Sequence, residues 1–447
     1  MKPFFYAILS ILMLATGCSA NADGHEPRSS SNAGPVIDEA HFLDSLGVNI
    51  HANYNDGAYA RLDKVAQDLQ YLGIYHVRTH DGRGLVPFES YAQLAAWGLR
   101  FDLVAIPTRI DETLDFAAKL MKEVPGSVAS IEGFNEINNE RFTFNGLKGL
   151  DAALAAQKEL YAKAKARSGL ADVPVIYFTG GEMFPGGEKV TDFSGLADIA
   201  NVHAYNHNAM QPRSSIVRAL ELYGGDAARA PYINTEFGNF TLPKGWPDGK
   251  PYWAHFTALG VDEATQTKIV LNSFFEGAQL GIKRSYVYEL LDEKLDPEQK
   301  LPEFHYGLFT FNHEPKASAK ALRNLTRFLR GTDSKKAESV IHASVENVPD
   351  GIGRITIRRA DGSLLIALWN RAEFWTWDQH SSTPVSNAKV PVAVRASAGE
   401  GSLEASVFDP VTNTQAPVIG DPANFKVPVP DYPVLVWLRA GASSPNP

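Results

Sequence analysis

Eight short apolar segments alternate with helical patterns between residues 45 and 330, and this alternation limits the possible folds more than any other feature. The helical stretches, such as residues 263–281, place apolar residues at three- and four-residue spacing. Alternation of this kind over roughly 285 residues is typical of strands and helices that build a closed parallel sheet. The sequence therefore predicts an α/β fold, a (β/α)8 TIM barrel, over residues 41–332. The predicted strands are 46–51, 74–79, 100–106, 128–136, 174–179, 197–205, 231–236 and 284–290.

The last quarter of the chain has a different pattern, with strands that follow one another without helices. Residues 389–397 and 425–440 alternate apolar and polar side chains with a period of two. The pair Asp361-Gly362 is typical of a tight turn between two strands. The sequence thus predicts a small C-terminal antiparallel β-sandwich over residues 333–447.

The amino terminus has the features of an export signal. A positive residue, Lys2, precedes an apolar stretch and small residues that end at Cys18, the only cysteine. The end of this stretch resembles a bacterial lipoprotein signal, so residues 1–18 are predicted to be that signal and Cys18 its lipidated residue. A plain cleaved signal with an incidental cysteine is the alternative. Residues 19–40 are predicted to be a flexible tether.

This signal predicts where the protein is found. The serine after Cys18 resembles the residue that directs such proteins to the outer membrane. We expect export across the inner membrane to the periplasm or the cell surface, as an outer-membrane lipoprotein. The membrane would be contacted only through the N-terminal lipid anchor.

Composition excludes some partners. The formal net charge of −9 comes from interspersed acids rather than an acidic block, which argues against nucleic acid and anionic membranes as partners. With Cys18 lipidated, no thiol remains for disulfides or catalysis. The sequence has no glycine-rich phosphate loop and no His, Asp and Glu spacing typical of a metal site, so no cofactor and no metal are expected. The oligomeric state stays open.

Carboxylates end two of the predicted strands. Glu136 ends the fourth strand and Glu236 ends the seventh. In a barrel of this kind the working residues project from the carboxyl ends of the strands and from the loops that follow. Because strands four and seven face each other, the two carboxyl groups are expected about 5 Å apart, the separation that a retaining glycosidase requires. One group would protonate the leaving oxygen while the other attacks the sugar carbon.

The sequences around these carboxylates resemble the paired signatures of glycoside hydrolase clan A, with family 39-like and cellulase-like members nearest. The resemblance rests on Asn135-Glu136 and on the Thr-Glu-x-Gly segment that contains Glu236, in register with the other strands. It implies that Glu136 is the general acid/base and Glu236 the nucleophile. It also implies that Arg78 hydrogen-bonds the nucleophile and that Asn135 binds the sugar 2-hydroxyl.

Further substrate-binding residues follow from the same resemblance. His203 and Tyr205 resemble a His-x-Tyr pair whose tyrosine touches the nucleophile or the acid/base, and hydrogen-bonded polar groups of the core are the alternative. Tyr288 and Glu289 stand where many members have a tryptophan that forms a platform for a sugar ring, and ordinary loop or ion-pair duty is the alternative for Glu289. Trp253, in the long loop after strand seven, is predicted to belong to a subsite wall, and packing within the loop itself is the alternative.

Some other residues have weaker patterns. Glu132 points to the same face as Glu136 but deeper in the barrel, so we interpret it as structural. His51 and Asn53 end strand one. They either line a subsite or have no contact with substrate, and the sequence favours neither interpretation. Trp375 and Trp377 would share one face of a strand, either as a carbohydrate-binding surface or as part of a core or domain interface.

These observations lead to one functional prediction. We expect a retaining glycoside hydrolase that cleaves a β-linked oligo- or polysaccharide through a covalent glycosyl-enzyme, with no cofactor. Two alternatives stay open: a non-catalytic glycan-binding barrel lipoprotein, and a transglycosylase that uses the same residues. The sugar, the linkage and the choice between endo and exo action are not indicated by the motifs.

Overall fold

Strands and helices alternate along the first three quarters of the chain in the computed structural model. The structure describes residues 33–138, 142–180, 193–206, 210–223, 231–241, 260–299, 301–331, 340–377, 382–399 and 401–441. The elements of this part are β1 (Val36–Asp38), α1 (Glu39–Asp44), β2 (Leu46–Asn49), α2 (Leu62–Leu72), β3 (His76–Thr79), α3 (Phe88–Ala96), β4 (Arg100–Val104), α4 (Ile110–Glu123), β5 (Val128–Glu132), β6 (Thr143–Phe144), β7 (Leu147–Lys148), α5 (Gly149–Ala166), β8 (Val175–Ile176), β9 (Ala200–His203), α6 (Pro212–Tyr223), β10 (Tyr232–Phe237), α7 (Glu263–Gln279), β11 (Ser285–Val287) and α8 (Ala317–Arg330).

Eight of these strands form one closed parallel sheet, which confirms the predicted barrel. Around the sheet their order is β2, β3, β4, β5, β8, β9, β10 and β11, and each predicted strand overlaps one of them. A bridge between Ile176 and Ile199 joins β8 to the chain entering β9, and β11 pairs with β2 to complete the ring. Inside the barrel, a Cβ at Gly47 would lie 2.4 Å from the Tyr286 ring. Glycine at this position therefore lets a large side chain fill the interior.

Helix α2 shows how the outer layer is specified. Val65, Leu69 and Leu72 follow one another at four- and three-residue spacing and are fully buried. Each such burial contributes about 1.5–3 kcal/mol. The helix ends at Gly73, whose φ of 66° is left-handed and favours glycine. A Cβ at Gly73 would lie 3.0 Å from the hydroxyl of Thr326 in α8, so the same glycine permits close packing of the two helices.

The C-terminal part is an antiparallel sandwich, as predicted. The strands are β12 (Ile341–Glu346), β13 (Ile352–Arg358), β14 (Leu364–Asn370), β15 (Trp375–Trp377), β16 (Ser382–Pro384), β17 (Val390–Ala398), β18 (Leu403–Asp409), β19 (Thr414–Pro417), β20 (Asn424–Val429) and β21 (Val434–Ala440). One sheet has the order β1, β13, β14, β21, β18 and β19, and the other has the order β12, β17 and β20. Apolar side chains from both sheets, including Val345, Val394, Leu368 and Val436, form the core of the sandwich.

The barrel and the sandwich share a continuous interface. Glu276 of α7 is completely buried and accepts hydrogen bonds from Trp369 Nε1 at 2.6 Å and from Arg371 Nε at 2.5 Å. A buried carboxylate of this kind is stabilised by the paired charge of the arginine and by directed donors. The barrel helix and the sandwich strand are thereby held together by polar as well as apolar contacts.

The pair of tryptophans predicted to share a strand face lies in β15. Trp375 is partly buried and packs against an apolar group that includes Ile269 of the barrel and Phe374. It therefore belongs to the domain interface, one of the two interpretations left open for it. The side chain of Trp377 lies outside the described residues.

The tether predicted over residues 19–40 is wrong for its last residues. Val36–Asp38 forms a strand that pairs in parallel with Thr356–Arg358 at the edge of the sandwich. Directly after it, Glu39 accepts a hydrogen bond from Arg359 at 2.9 Å. The partners of this segment are more than three hundred residues away in the chain, so the polar run before it, residues 21–35, did not indicate the pairing.

Cys18 and the rest of the predicted signal lie outside the described residues. Lipidation, export and the location at the outer membrane therefore stay predictions. In the part of the chain that the structure describes, no helix is both long enough and apolar enough to cross a bilayer.

Candidate active site

The two carboxylates predicted to be catalytic lie next to each other at the carboxyl end of the barrel. Glu136 follows β5, the fourth barrel strand, and Glu236 lies within β10, the seventh. One carboxylate oxygen of each and a ring nitrogen of His203 lie within 4.8 Å of one another. The side chain of Glu136 is 20% exposed and that of Glu236 is 9% exposed. Both side chains are therefore mostly desolvated, but each keeps some contact with solvent.

Glu136 has an uncommon backbone conformation. Its φ is 38°, in the left-handed region that residues with a Cβ rarely adopt, at a cost on the order of 1–3 kcal/mol. The surroundings hold it there, because its backbone N–H donates to Thr179 Oγ1 at 3.1 Å and its Oε1 lies 2.8 Å from His203 Nδ1. The backbone thus directs this carboxylate towards Glu236.

Glu236 is held as an anion by donors on two sides. Arg78 Nη1 donates to Oε1 at 2.5 Å, and the Tyr205 hydroxyl donates to Oε2 at 2.7 Å. Burial on its own would raise the pKa of Glu236, but the positive charges of His203 and Arg78 and these hydrogen bonds outweigh it, so the pKa lies below its usual range. An ionised carboxylate at this position is the form that a nucleophile requires.

Arg78 connects the nucleophile candidate to the barrel interior. Its Nε and Nη2 donate to both oxygens of Glu132 at 2.7 and 2.9 Å, and Glu132 is completely buried. Its remaining donors reach Asn49 Oδ1 at 2.9 Å and Asn135 Oδ1 at 2.8 Å. Glu132 therefore has a structural position, as the sequence suggested, because it orients the guanidinium that faces Glu236.

His203 lies behind the two carboxylates. Its Nδ1 lies 2.8 Å from Glu136 Oε1 and 3.6 Å from Glu236 Oε2, while its Nε2 lies 3.1 Å from Thr235 Oγ1. Burial would lower the pKa of His203, but the adjacent carboxylates raise it overall. Because the side chain is fully buried, it positions Glu136 rather than reaching into the cleft.

Replacing His203 with glutamine is expected to reduce the free energy of unfolding more at about pH 5.5 than at about pH 9. A histidine whose folded pKa is raised contributes stability fully below its unfolded pKa, about 6.5, and loses that contribution as the pH rises through the folded value. Urea unfolding at the two pH values measures the difference. The exposed His342, changed to glutamine in the same way, is the control. Equal losses for His203→Gln at both pH values would contradict the charge assignment.

Three tyrosines line the cleft beside Glu236. The ring centroids of Tyr205 and Tyr288 are 6.5 Å apart, and Tyr306 lies 6.3 Å from the first and 5.4 Å from the second. Tyr288 thus occupies the region of the expected tryptophan platform, and its hydroxyl donates to Glu303 at 2.7 Å. Trp253 lies outside the described residues, so its place in a subsite wall stays a prediction.

Glu289, predicted as a substrate contact, has a different position. Its side chain is completely buried, and its Oε2 accepts a hydrogen bond from the Tyr59 hydroxyl at 2.8 Å. Burial raises the pKa of Glu289 well above its usual range. The residue lies beneath the cleft rather than on its surface, because Tyr288 occupies the exposed side of this strand end.

The sequence did not single out Tyr59, Glu293, Tyr306 and Glu303 as members of this region. The last three lie in the segment after strand eight, which is on the carboxyl side of the barrel where functional loops concentrate. That location was the available signal. Their charges and rings resemble those of any polar loop, so the local sequence alone did not distinguish them.

Two groups of metal-ligating side chains occur among the described residues, each with ligand atoms within 4.8 Å of one another: His51 with Glu289 and Glu293, and Glu136 with His203 and Glu236. In the second group Glu236 already pairs with the guanidinium of Arg78, so its charge is compensated. In the first group neither carboxyl group forms an ion pair with an arginine or lysine of the described residues. The two groups therefore differ in the residues that compensate their carboxyl groups.

Comparison with known proteins agrees with this fold. No family model matches the chain, and no curated protein is similar to it in sequence. Among solved structures, a family 39 glycoside hydrolase from the gut symbiont Bacteroides cellulosilyticus WH2 is similar at 14% identity and a TM-score of 0.55, over 91% of this chain and 82% of that one. A monomeric β-xylosidase from Caulobacter crescentus CB15 is similar at 15% identity and a TM-score of 0.50, over 92% and 98% of the two chains. The chain therefore shares its barrel and sandwich with glycosidases, in agreement with the clan A resemblance.

Proposed function

We propose that this protein is a retaining glycoside hydrolase that cleaves a β-linked oligo- or polysaccharide. In the first step Glu236 attacks the anomeric carbon while Glu136 gives its proton to the glycosidic oxygen, so the leaving sugar departs as an alcohol. In the second step Glu136 takes a proton from water, and the resulting oxygen nucleophile displaces Glu236. Two inversions at one carbon give net retention.

One observation carries this proposal: one carboxylate oxygen of Glu136 and one of Glu236 lie within 4.8 Å of each other. This upper limit is close to the roughly 5–5.5 Å spacing of retaining enzymes, whereas inverting enzymes need roughly 6.5–9.5 Å to hold a water between the two groups. The different surroundings of the two carboxylates support different roles. Glu236 has an arginine and a tyrosine as donors, while Glu136 faces His203 and solvent.

Arg78 and Tyr205 have a second part in this proposal. Both donate to the carboxylate that would lose its charge when the covalent intermediate forms, so they favour its return as the leaving group. Asn135, whose Oδ1 is fixed by Arg78, is proposed to present its amide nitrogen to the sugar 2-hydroxyl. Tyr288 is proposed to support the ring of the bound sugar.

The test is the anomeric configuration of the first product. Because the Caulobacter neighbour is described as a β-xylosidase, aryl β-xylosides are the first substrates, followed by other aryl β-glycosides and polysaccharides. Proton NMR of a cleaved substrate is expected to show the β-anomer before mutarotation. An α-anomer formed first would contradict retention. Binding without turnover on the whole panel would favour the glycan-binding alternative, and transfer to an added sugar acceptor in preference to water would favour the transglycosylase.

A further inference from the structure

A second cluster of ionisable side chains lies beside the proposed active site. His51 follows the first barrel strand, and Glu289 and Glu293 follow the eighth. The Nε2 atom of His51 lies 3.3 Å from Glu289 Oε2 and 3.2 Å from Glu293 Oε1. The three atoms lie within 4.8 Å of one another. Side chains from opposite ends of the barrel sequence thus converge on one point.

No arginine or lysine of the described residues forms an ion pair with the two carboxyl groups of this cluster. The side chains of Glu289 and Glu293 are 0% and 9% exposed. Within the described ranges, His51 is the only basic residue that lies within 4.0 Å of either carboxyl group. In addition, Oε1 of Glu289 is buried and receives no hydrogen bond from any residue that the structure describes. Buried carboxyl groups that stay ionised are paired with cations or coordinate metals. When both carboxyl groups of this cluster are ionised, one ligand with two positive charges would balance them.

The contacts of His51 to the two carboxylates are 3.3 and 3.2 Å long, within the range of the other histidine–carboxylate contacts among the described residues. Ligand atoms at roughly 2.0–2.1 Å from a tetrahedral Zn²⁺ are separated by about 3.3 Å. The two distances from His51 match this separation, so one cation can contact all three side chains without a large movement of any of them.

We propose that His51, Glu289 and Glu293 bind one divalent cation of the Zn²⁺ type. One imidazole nitrogen and two carboxylate oxygens are a ligand set that suits Zn²⁺ better than Mg²⁺, which prefers oxygen ligands and bound water. The Tyr59 hydroxyl, which donates to Glu289 Oε2, orients that ligand from outside the coordination sphere. The ion joins the end of the first barrel strand to the loop after the eighth.

The site has a consequence for the cleft. The hydroxyl of Tyr288 lies 3.4 Å from the same Nε2 atom of His51, and the ring of His51 packs edge-on against that of Tyr288 at 5.9 Å. An ion that fixes His51 therefore restrains the aromatic side chain at the floor of the cleft. Binding of the ion is independent of the hydrolytic function proposed above, so the two proposals fail separately.

The test uses the full chain after treatment with a chelator and titration with ZnCl₂. Calorimetry is expected to show a site of one Zn²⁺ per chain that is weakened at least tenfold by Glu293→Gln and by His51→Gln. At a hundredfold excess of Zn²⁺ over Kd, the Tm of the wild type is expected to rise by about 3 °C. Replacing Zn²⁺ with Co²⁺ should give a visible spectrum of a tetrahedral ion that is lost in His51→Gln.

Two controls separate this cluster from its neighbours. Glu303→Gln removes a nearby carboxylate outside the proposed ligand set, and Glu236→Gln disables the other group of metal-ligating side chains; both variants are expected to bind Zn²⁺ as the wild type does. Circular dichroism establishes that each variant is folded. The Tm shift of the wild type tests Zn²⁺ binding even if a variant does not fold. Absence of Zn²⁺ binding and of a Tm shift in the wild type, or unchanged affinity in both ligand variants, would overturn the proposal.

Discussion

Replacing Glu236 with alanine is expected to lower kcat on a cleaved glycoside by about 10⁴-fold, because the covalent intermediate is proposed to form on its carboxylate. The substitution also removes one of the two carboxylates that Arg78 contacts, the one that lies 2.5 Å from its Nη1 atom. Initial rates on the best aryl glycoside of the panel measure the loss. Glu123→Ala, an exposed glutamate at the opposite end of the barrel, is the matched control and is expected to keep the wild-type rate.

Azide distinguishes the roles of the two carboxylates. The cavity left in Glu236→Ala admits azide, which attacks the anomeric carbon directly and gives an α-glycosyl azide from a β-linked substrate. In Glu136→Ala the covalent intermediate still forms, so azide attack on it gives the β product. An activated aryl leaving group is used because its departure needs no proton. If Glu136→Ala gave the α-glycosyl azide and Glu236→Ala the β product, the two roles would be exchanged. A wild-type rate of hydrolysis by Glu236→Ala would refute the mechanism.

Replacing Arg78 with methionine is expected to lower the free energy of unfolding by about 3–5 kcal/mol, because two buried carboxylates lose their shared cation. Arg78 donates to Glu132 through two nitrogens and to Glu236 through a third. Urea unfolding at pH 7 measures the loss. Arg358→Met is the control, since its pair with Asp38 is exposed and such pairs contribute about 0–1 kcal/mol.

The effect of Arg78→Met is also expected to depend on pH. The pKa of Glu236 is lowered in the folded protein, with Arg78 among the causes, so its contribution to stability is present above the unfolded pKa of about 4.3 and is lost as the pH falls through the folded value. The difference between wild type and variant should therefore shrink on acidification. Arg78→Lys keeps the charge without the two-pronged contact and should lose less. A loss below about 1 kcal/mol for Arg78→Met would contradict the structural assignment.

The barrel and the two carboxylates were predictable because their signals are local. A strand such as β10 is indicated by its own apolar residues, and the polar pair Thr235-Glu236 at its end needs an explanation wherever the strand lies. Strand order around a (β/α)8 barrel follows chain order, so the positions of Glu136 and Glu236 opposite one another followed from counting strands. No long-range information was needed for these predictions.

Other features depend on contacts that local patterns do not contain. The segment Val36–Asp38 directly follows a polar run, and it becomes a strand only because Thr356–Arg358 offers a free edge. Glu289 follows a strand just as Glu136 does, yet the Tyr59 hydroxyl, 230 residues away in the chain, binds it beneath the cleft. In both cases the deciding partner is distant in sequence and close in space.

By itself, the sequence determined the series of strands and helices and which chemical groups stand at the strand ends, because apolar periodicity and residue type act within a few neighbouring positions. Only the tertiary structure decided which of those groups meet. The sharing of Arg78 between Glu132 and Glu236, and the convergence of His51 on Glu289 and Glu293, depend on the register and closure of the sheet. Electrostatic and hydrogen-bond energies change over fractions of an ångström, and such distances exist only after the chain has closed on itself.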